Sequence, residues 1–137
     1  ALVGLTRGTG RDHIIRAAQE SIAYQSWDLV HAMEKDTGIP LTQLKVDGGA
    51  SRDRFLMQFQ ADLTGVRIIR PSVMESTALG AAMFAGLAVG FWHSTDEICA
   101  LLKPDRTFSP EAAPALMEQR RKRWHEAVRR SRHWVEE

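Results

Sequence analysis

Apolar residues recur along this chain first at a helical spacing, then in short runs separated by glycine and proline. Over residues 13–36, Ile14, Ala18, Ile22, Leu29 and Met33 return to one face, predicting a long helix that packs through that stripe. Asp12 suits the N-cap, and Gly38 followed by Pro40 is a strong stop signal. Residues 44–46 read as a short strand buried at Leu44 and Val46. Asp47, Gly48 and Gly49 form a turn, and residues 52–63 a second helix with Phe55, Leu56, Phe59 and Leu63 on one face. Gly65 ends it, and residues 66–70 form a second strand stopped by Pro71. Strand, turn, helix and strand in that order make a βαβ unit, whose strands should lie parallel with a right-handed crossover.

The third helical stretch, residues 77–89, is almost wholly apolar or small, which predicts a buried, closely packed helix. Gly80 and Gly86 would each cost about 1 kcal/mol in a helix interior unless close backbone contact offsets it. A break at residues 90–93 precedes a short helical turn capped by Ser94, and residues 103–110 read as an extended linker. A final helix is expected over residues 113–134, with Leu116, Trp124, Ala127 and Val128 as its contacts. At the other end, residues 1–5 read as the end of a strand, as if the chain began inside a longer polypeptide.

Composition changes this picture little. With 137 residues, 44% hydrophobic and 26% charged, the chain is long enough for one core. A formal net charge of +1 gives no global signal for nucleic acid or membrane. No apolar run reaches the length of a bilayer span, and the first residues do not form a signal peptide. The single cysteine, Cys99, excludes an internal disulfide, suits a reducing compartment and is expected in the core.

The chemistry concentrates at residues 47–50. Two glycines between a strand and a helix let the backbone approach a ligand, and the helix start turns free N–H groups towards the same spot. The pair alone is weak, because a plain tight turn uses the same residues. Neither a P-loop nor a three-glycine dinucleotide fingerprint is present. Ser51 lacks a paired histidine and acid, so it is not read as a nucleophile. His13 reads as a helix-start residue, and His125 and His133 stand two turns apart, outside metal-chelating spacing. The basic runs at 120–125 and 129–134 are diluted by Glu118, Glu126, Glu136 and Glu137; a solvated helix face anchored by Trp124 is favoured over a nucleic-acid surface.

Longer segments carry a resemblance. LKVDGGAS at 44–51 resembles the second adenosine-binding segment of the actin-like ATPases, and GLTRG at 4–8, HIIRA at 13–17 and ESIAYQ at 20–25 resemble the carboxy-terminal signature of the FGGY carbohydrate kinases. FLMQFQADL at 55–63, ESTALGAA at 75–82 and AGLAVGFW at 85–92 are similar to the glycerol-kinase branch of that family. The resemblance covers nearly the whole chain and is weakest over residues 107–119.

It implies an α/β fold, a partial actin-like (ribonuclease H-like) ATPase domain with short parallel strands, several helices and without its first three strands. It implies transfer of the γ-phosphate of ATP, with Mg²⁺, to a polyol such as glycerol in the cytoplasm. By position, Gly48, Gly49 and Asp53 match the nucleotide-side residues. Asp53 departs from the family's usual asparagine, and Gln19 stands where the family is usually apolar. Ionised aspartate only accepts hydrogen bonds and repels a polyphosphate, which puts Asp53 in doubt as a direct contact. Arg7 and Glu75 are either structural or cleft-shaping. The family's phosphate loop, its aspartate base and its polyol-binding residues have no counterpart here, so no catalytic residue and no metal ligand is assigned.

The expected organisation is residues 1–104 as the C-terminal part of the second actin-like domain, with residues 105–137 as linker and packed helix. By itself the chain is expected to be inactive, to expose the edge of the 44–46 strand and the apolar helix faces, and to self-associate or form a homo-oligomer. The alternatives are another FGGY kinase, such as one acting on a pentulose, and a non-catalytic nucleotide- or partner-binding module. Glycerol and ATP are the expected partners; nucleic acid and membrane are not.

Overall fold

The computed structural model describes residues 1–132. In chain order the elements are α1 (Arg11–Thr37), β1 (Gln43–Lys45), a 3₁₀ turn (Gly49–Arg52), α2 (Arg54–Thr64), β2 (Arg67–Pro71), α3 (Ser76–Ala88), α4 (Thr95–Leu101), β3 (Pro104–Phe108) and α5 (Pro114–Ser131). The sheet order is β1-β2-β3: β1 pairs parallel with β2, as the βαβ reading requires, and β2 pairs antiparallel with β3. Among the described residues β1 is an edge strand with its outer side unpaired.

The core forms around α2, which buries Leu56, Met57, Phe59, Gln60, Ala61 and Leu63. Apolar residues on more than one face let it contact the sheet on one side and α1 and α5 on the other. Ile68 from β2, Phe108 from β3, Ala23 from α1 and Met117 from α5 complete the cluster. The helix stops are those that the sequence signals: Gly38 and Gly65 both adopt the left-handed conformation, with φ of 67° and 75°, and donate back to Glu34 and Ala61. Ser94 caps α4 by accepting from the Glu97 amide.

Several expectations are corrected. Residues 1–5 form no strand, and Leu2, Val3 and Leu5 are exposed. Gly10, not Asp12, is the N-cap of α1; its amide donates to His13 Nδ1 at 3.1 Å, which makes His13 a helix-start residue as read. The stripe of Ile14, Ile22, Leu29 and Met33 is exposed, and α1 packs instead through Ala23, Tyr24 and Trp27. Leu44 and Val46 are only half-buried.

The expected buried helix, α3, contains no buried residue, and Phe84 is 74% exposed. Gly86 does have the expected close contact: a Cβ there would meet the Trp92 ring at 2.3 Å, whereas Gly80 faces open space. Cys99 is exposed rather than in the core. The 103–110 stretch is not a linker in its first half, since Pro104–Phe108 is β3, a third strand. In α5, Leu116 and Val128 are exposed and Met117 makes the buried contact. Trp134 and His133, included in the sequence readings, lie outside the described residues.

Candidate functional site

Gly48 and Gly49 lie where β1 ends and the 3₁₀ turn into α2 begins. Gly48 has φ 76° and ψ 177°, a left-handed extended conformation that a side chain would strain. Gly49 differs: its φ is not in the left-handed region, it is exposed, and a Cβ there would meet nothing within 4 Å. The chain's own packing therefore accounts for glycine at 48 but not at 49. At 49 a missing side chain leaves the backbone open to an approaching group.

The turn is tightly held from inside. The Gly48 amide donates to the Met74 carbonyl at 3.2 Å. Ser51, almost fully buried, donates from Oγ to the Gly48 carbonyl at 2.7 Å and lies 3.3 Å from Met74 Sδ. Its amide also donates to Gly48 O, and the Asp53 amide donates to Ala50 O at 3.1 Å. Among the described residues, these bonds use the amides of Gly48, Ser51 and Asp53; the amides of Gly49 and Ala50, both exposed residues, make no such bond. Two adjacent free N–H groups at the start of a helical turn suit the oxygens of an anion.

Arg70, at the end of β2, buttresses the turn from the sheet side. It donates from Nη1 to the Ser51 carbonyl at 3.0 Å and from Nε to Asp105 Oδ2 of β3 at 2.9 Å. Sequence reading passed over Arg70, because nothing in a two-residue alternation marks an arginine as the brace of a distant loop.

Asp53 is the N-cap of α2. Its Oδ1 accepts from the amides of Phe55 and Leu56 at 2.9 and 3.1 Å. Its Oδ2 accepts from Gln19 Nε2 of α1. The two positions singled out as departures, Gln19 and Asp53, are thus bonded to each other, and Gln19 faces the turn. Arg7 and Glu75 are exposed; Glu75 is the residue before α3 and makes no side-chain cap there. Ser51 is a structural hydroxyl, consistent with its reading as no nucleophile.

Beside the turn, the strand ends and α3 bound a groove of about 610 Å³ lined in part by Val46, Asp47, Val73, Leu79 and Met83. No group of three or more His, Cys, Asp or Glu side chains among the described residues is arranged to hold a metal. No described helix is long and apolar enough to cross a membrane.

The basic α5 is largely tied into the body. Trp124 stacks on Tyr24 with ring centroids 5.1 Å apart and donates from Nε1 to Asp28 Oδ2 at 2.7 Å, the anchoring role read from the sequence. Arg120 reaches Glu20 of α1 at 3.2 Å, and Arg121 donates to the Leu63 carbonyl at 2.7 Å. Burial of the Tyr24 ring, together with the nearby Glu20 charge, pushes its phenol above the ordinary value. On the outer face Glu126 is held down to about 2 by hydrogen bonds from Arg129 and Arg130.

The family model for the C-terminal domain of the FGGY family of carbohydrate kinases matches residues 1–89. A glycerol kinase of Clostridium beijerinckii is 57% identical over 137 residues, covering all of this chain and 28% of that protein. One from Dechloromonas aromatica is 58% identical over 135 residues, covering 98% of this chain and 27% of that protein. The chain thus spans little more than a quarter of the length of these curated relatives.

Among solved structures, Plasmodium falciparum glycerol kinase with ADP superposes with a TM-score of 0.88 at 34% identity, over 98% of this chain and 27% of that one. A ligand-bound xylulose kinase from Lactobacillus acidophilus gives 0.77 at 25% identity, over 96% of this chain and 26% of that one. The α/β arrangement of a small sheet and five helices is accordingly part of the actin-like fold of these kinases. Matched over its first 89 residues by the family model and over its whole length by such relatives, the chain belongs to the FGGY family of carbohydrate kinases.

Proposed function

We propose that this chain is the C-terminal part of a glycerol kinase and forms one wall of its ATP site. The observation that carries the reading is the turn at Gly48–Gly49. It presents two free backbone amides beside an unfilled glycine, within a chain 57% identical throughout to a glycerol kinase. The full-length enzyme transfers the γ-phosphoryl group of ATP to a glycerol hydroxyl. A bond forms between phosphorus and the glycerol oxygen, the β–γ bridging bond breaks, and a base takes the hydroxyl proton. This chain supplies neither the base nor the glycerol contacts. Gly49 and Ala50 donate N–H groups to the nucleotide phosphates, Gly48 sets the turn's direction, and Asp53 fixes the start of α2. Such backbone donors act by positioning and by offsetting negative charge, the two needs of phosphoryl transfer.

Mg²⁺ would arrive with the nucleotide, as the family resemblance implies. That fits an ion that keeps several waters and binds largely through phosphates. A cytoplasmic reaction is what the family resemblance implies. Residues 1–104 are assigned to the C-terminal part of the second actin-like domain and residues 105–137 to a linker and C-terminal helix, and β3 runs across that boundary.

Alone, the 137 residues should self-associate through the unpaired edge of β1 and the exposed apolar faces of α1 and α3. In sedimentation, a compact monomer at all concentrations would count against this. The test of function is ATP consumption by the full-length protein with glycerol, in parallel with a pentulose. Glycerol-dependent turnover that falls at least about tenfold in kcat/KM for Gly49→Val supports the reading. Turnover with the pentulose alone would transfer the protein to a different FGGY substrate, and ATP binding without turnover would make it a nucleotide-binding module.

A further inference from the structure

We propose that Gln19 is a positioning residue for the nucleotide-side turn, acting through Asp53; this rests on the reading of that turn as an ATP wall. Gln19 lies on α1, 34 residues before Asp53, and its side-chain amide donates to Asp53 Oδ2. The other carboxylate oxygen is already committed, since Oδ1 accepts from the Phe55 and Leu56 amides in the first turn of α2. Asp53 also closes the turn through its own amide, which donates to Ala50 O. Asp53 therefore ties together the turn through its amide, and the start of α2 and α1 through its carboxylate.

The geometry gives Gln19 two tasks. It fixes the rotamer of Asp53, so the cap cannot swing away from Phe55 and Leu56. It also engages the oxygen that the cap leaves over, with a charge-assisted bond, beside the place where a polyphosphate would sit. Without that donor, Oδ2 would be free to turn towards an incoming anion and repel it. Gln19 is held firmly enough for this. One turn of helix earlier, the Arg16 guanidinium lies 4.2 Å over the Phe55 ring in the first turn of α2. The adjacent Glu20 is bonded to Arg16 and to Arg120 of α5. Arg16 thus ties α1 to α2 on one side of Gln19, and Glu20 ties α1 to α5 on the other.

The test is steady-state kinetics on the full-length protein with ATP and glycerol varied separately, with thermal unfolding of each variant. Gln19→Met keeps the side chain's length and removes the donor. It should raise the KM for ATP about fivefold and leave the KM for glycerol within about 1.5-fold. Gln19→Glu sets a second carboxylate against the first and should raise the KM for ATP further. Adding Asp53→Asn to Gln19→Met keeps an acceptor for the cap and removes the stray charge, and should return the KM for ATP to within about twofold of wild type. If the variants unfold earlier but keep the wild-type KM for ATP, Gln19 is only a packing residue and the proposal is overturned. Equal rises in both KM values, or no rescue by the double variant, overturn it as well. A wild-type protein that neither binds nor consumes ATP overturns the ATP-wall reading itself, and this proposal with it.

Discussion

α2 and α3 are of similar length and fold in the same chain, yet they end in opposite environments. α2 contains Arg54, Gln58, Gln60, Asp62 and Thr64 among its apolar residues and buries six side chains. α3 is almost entirely apolar or small and buries none. Phe84 and Val89, in α3 and just after it, are 74% and 81% exposed. The difference does not come from intrinsic hydrophobicity, which would rank them the other way. α2 sits between the sheet and two helices, all supplied by these 137 residues. α3 follows a loop that is anchored to the turn by the Gly48–Met74 bond, but its apolar surface meets little else of the chain. Burial is a property of a residue and its partner together, and the partner of α3 is not among the described elements.

The comparison can be broken most forcefully in the α2 layer. Leu63 is fully buried, so Leu63→Ala should destabilise the chain by about 2–5 kcal/mol, read as a lower urea midpoint. Phe84→Ser in α3 should change the unfolding free energy by under about 0.5 kcal/mol and shift sedimentation towards smaller species. A loss at Phe84 as large as at Leu63 would mean that α3 has a partner within the chain.

The caps offer a smaller contrast. Asp53 caps α2 with two amide bonds, whereas Glu75 before α3 makes no side-chain cap. Asp53→Ala should cost about 1 kcal/mol in unfolding free energy, and Glu75→Ala nothing resolvable. Hydrogen exchange sharpens the point: amides of α2 should open only near the global unfolding free energy, and those of α3 at much lower cost.

The smallest effect lies on the outer face of α5. Glu126 is held at about 2, below its ordinary 4.5, by hydrogen bonds from Arg129 and Arg130. A depressed carboxylate contributes stability that is present above pH 4.5 and is lost as the pH falls towards about 2. Glu126→Gln should therefore lower stability slightly above pH 4.5, have no effect near pH 2, and so flatten the profile between the two. The pair is exposed, so salt should shrink the effect.

How much of this was legible beforehand follows the same physics. Signals carried by neighbouring residues were readable: the glycine stops at 38 and 65, the Ser94 cap, the parallel β1–β2 pair and the turn at 48–49. Periodicity found an apolar stripe on α1 but could not say which face had a partner, so Ile22 was expected inside and Ala23 was found there. β3 was missed because its first four residues, Pro104 to Thr107, are exposed and its sequence has no apolar alternation; only Phe108 is buried. Asp53 was singled out by position, but its cap and its link to Gln19 join residues that no local pattern connects. Arg70 was invisible for the same reason, since its partners Ser51 and Asp105 lie 19 and 35 residues away.

The central claim is that these residues form one wall of an ATP site and not a complete one. It is tested most directly by measuring glycerol-dependent ADP production by the isolated 137-residue chain beside the full-length protein, at equal molar concentration and with Mg²⁺. The account predicts turnover by the full-length protein and only background from the isolated chain. Turnover by the isolated chain, or none by the full-length protein, would contradict it.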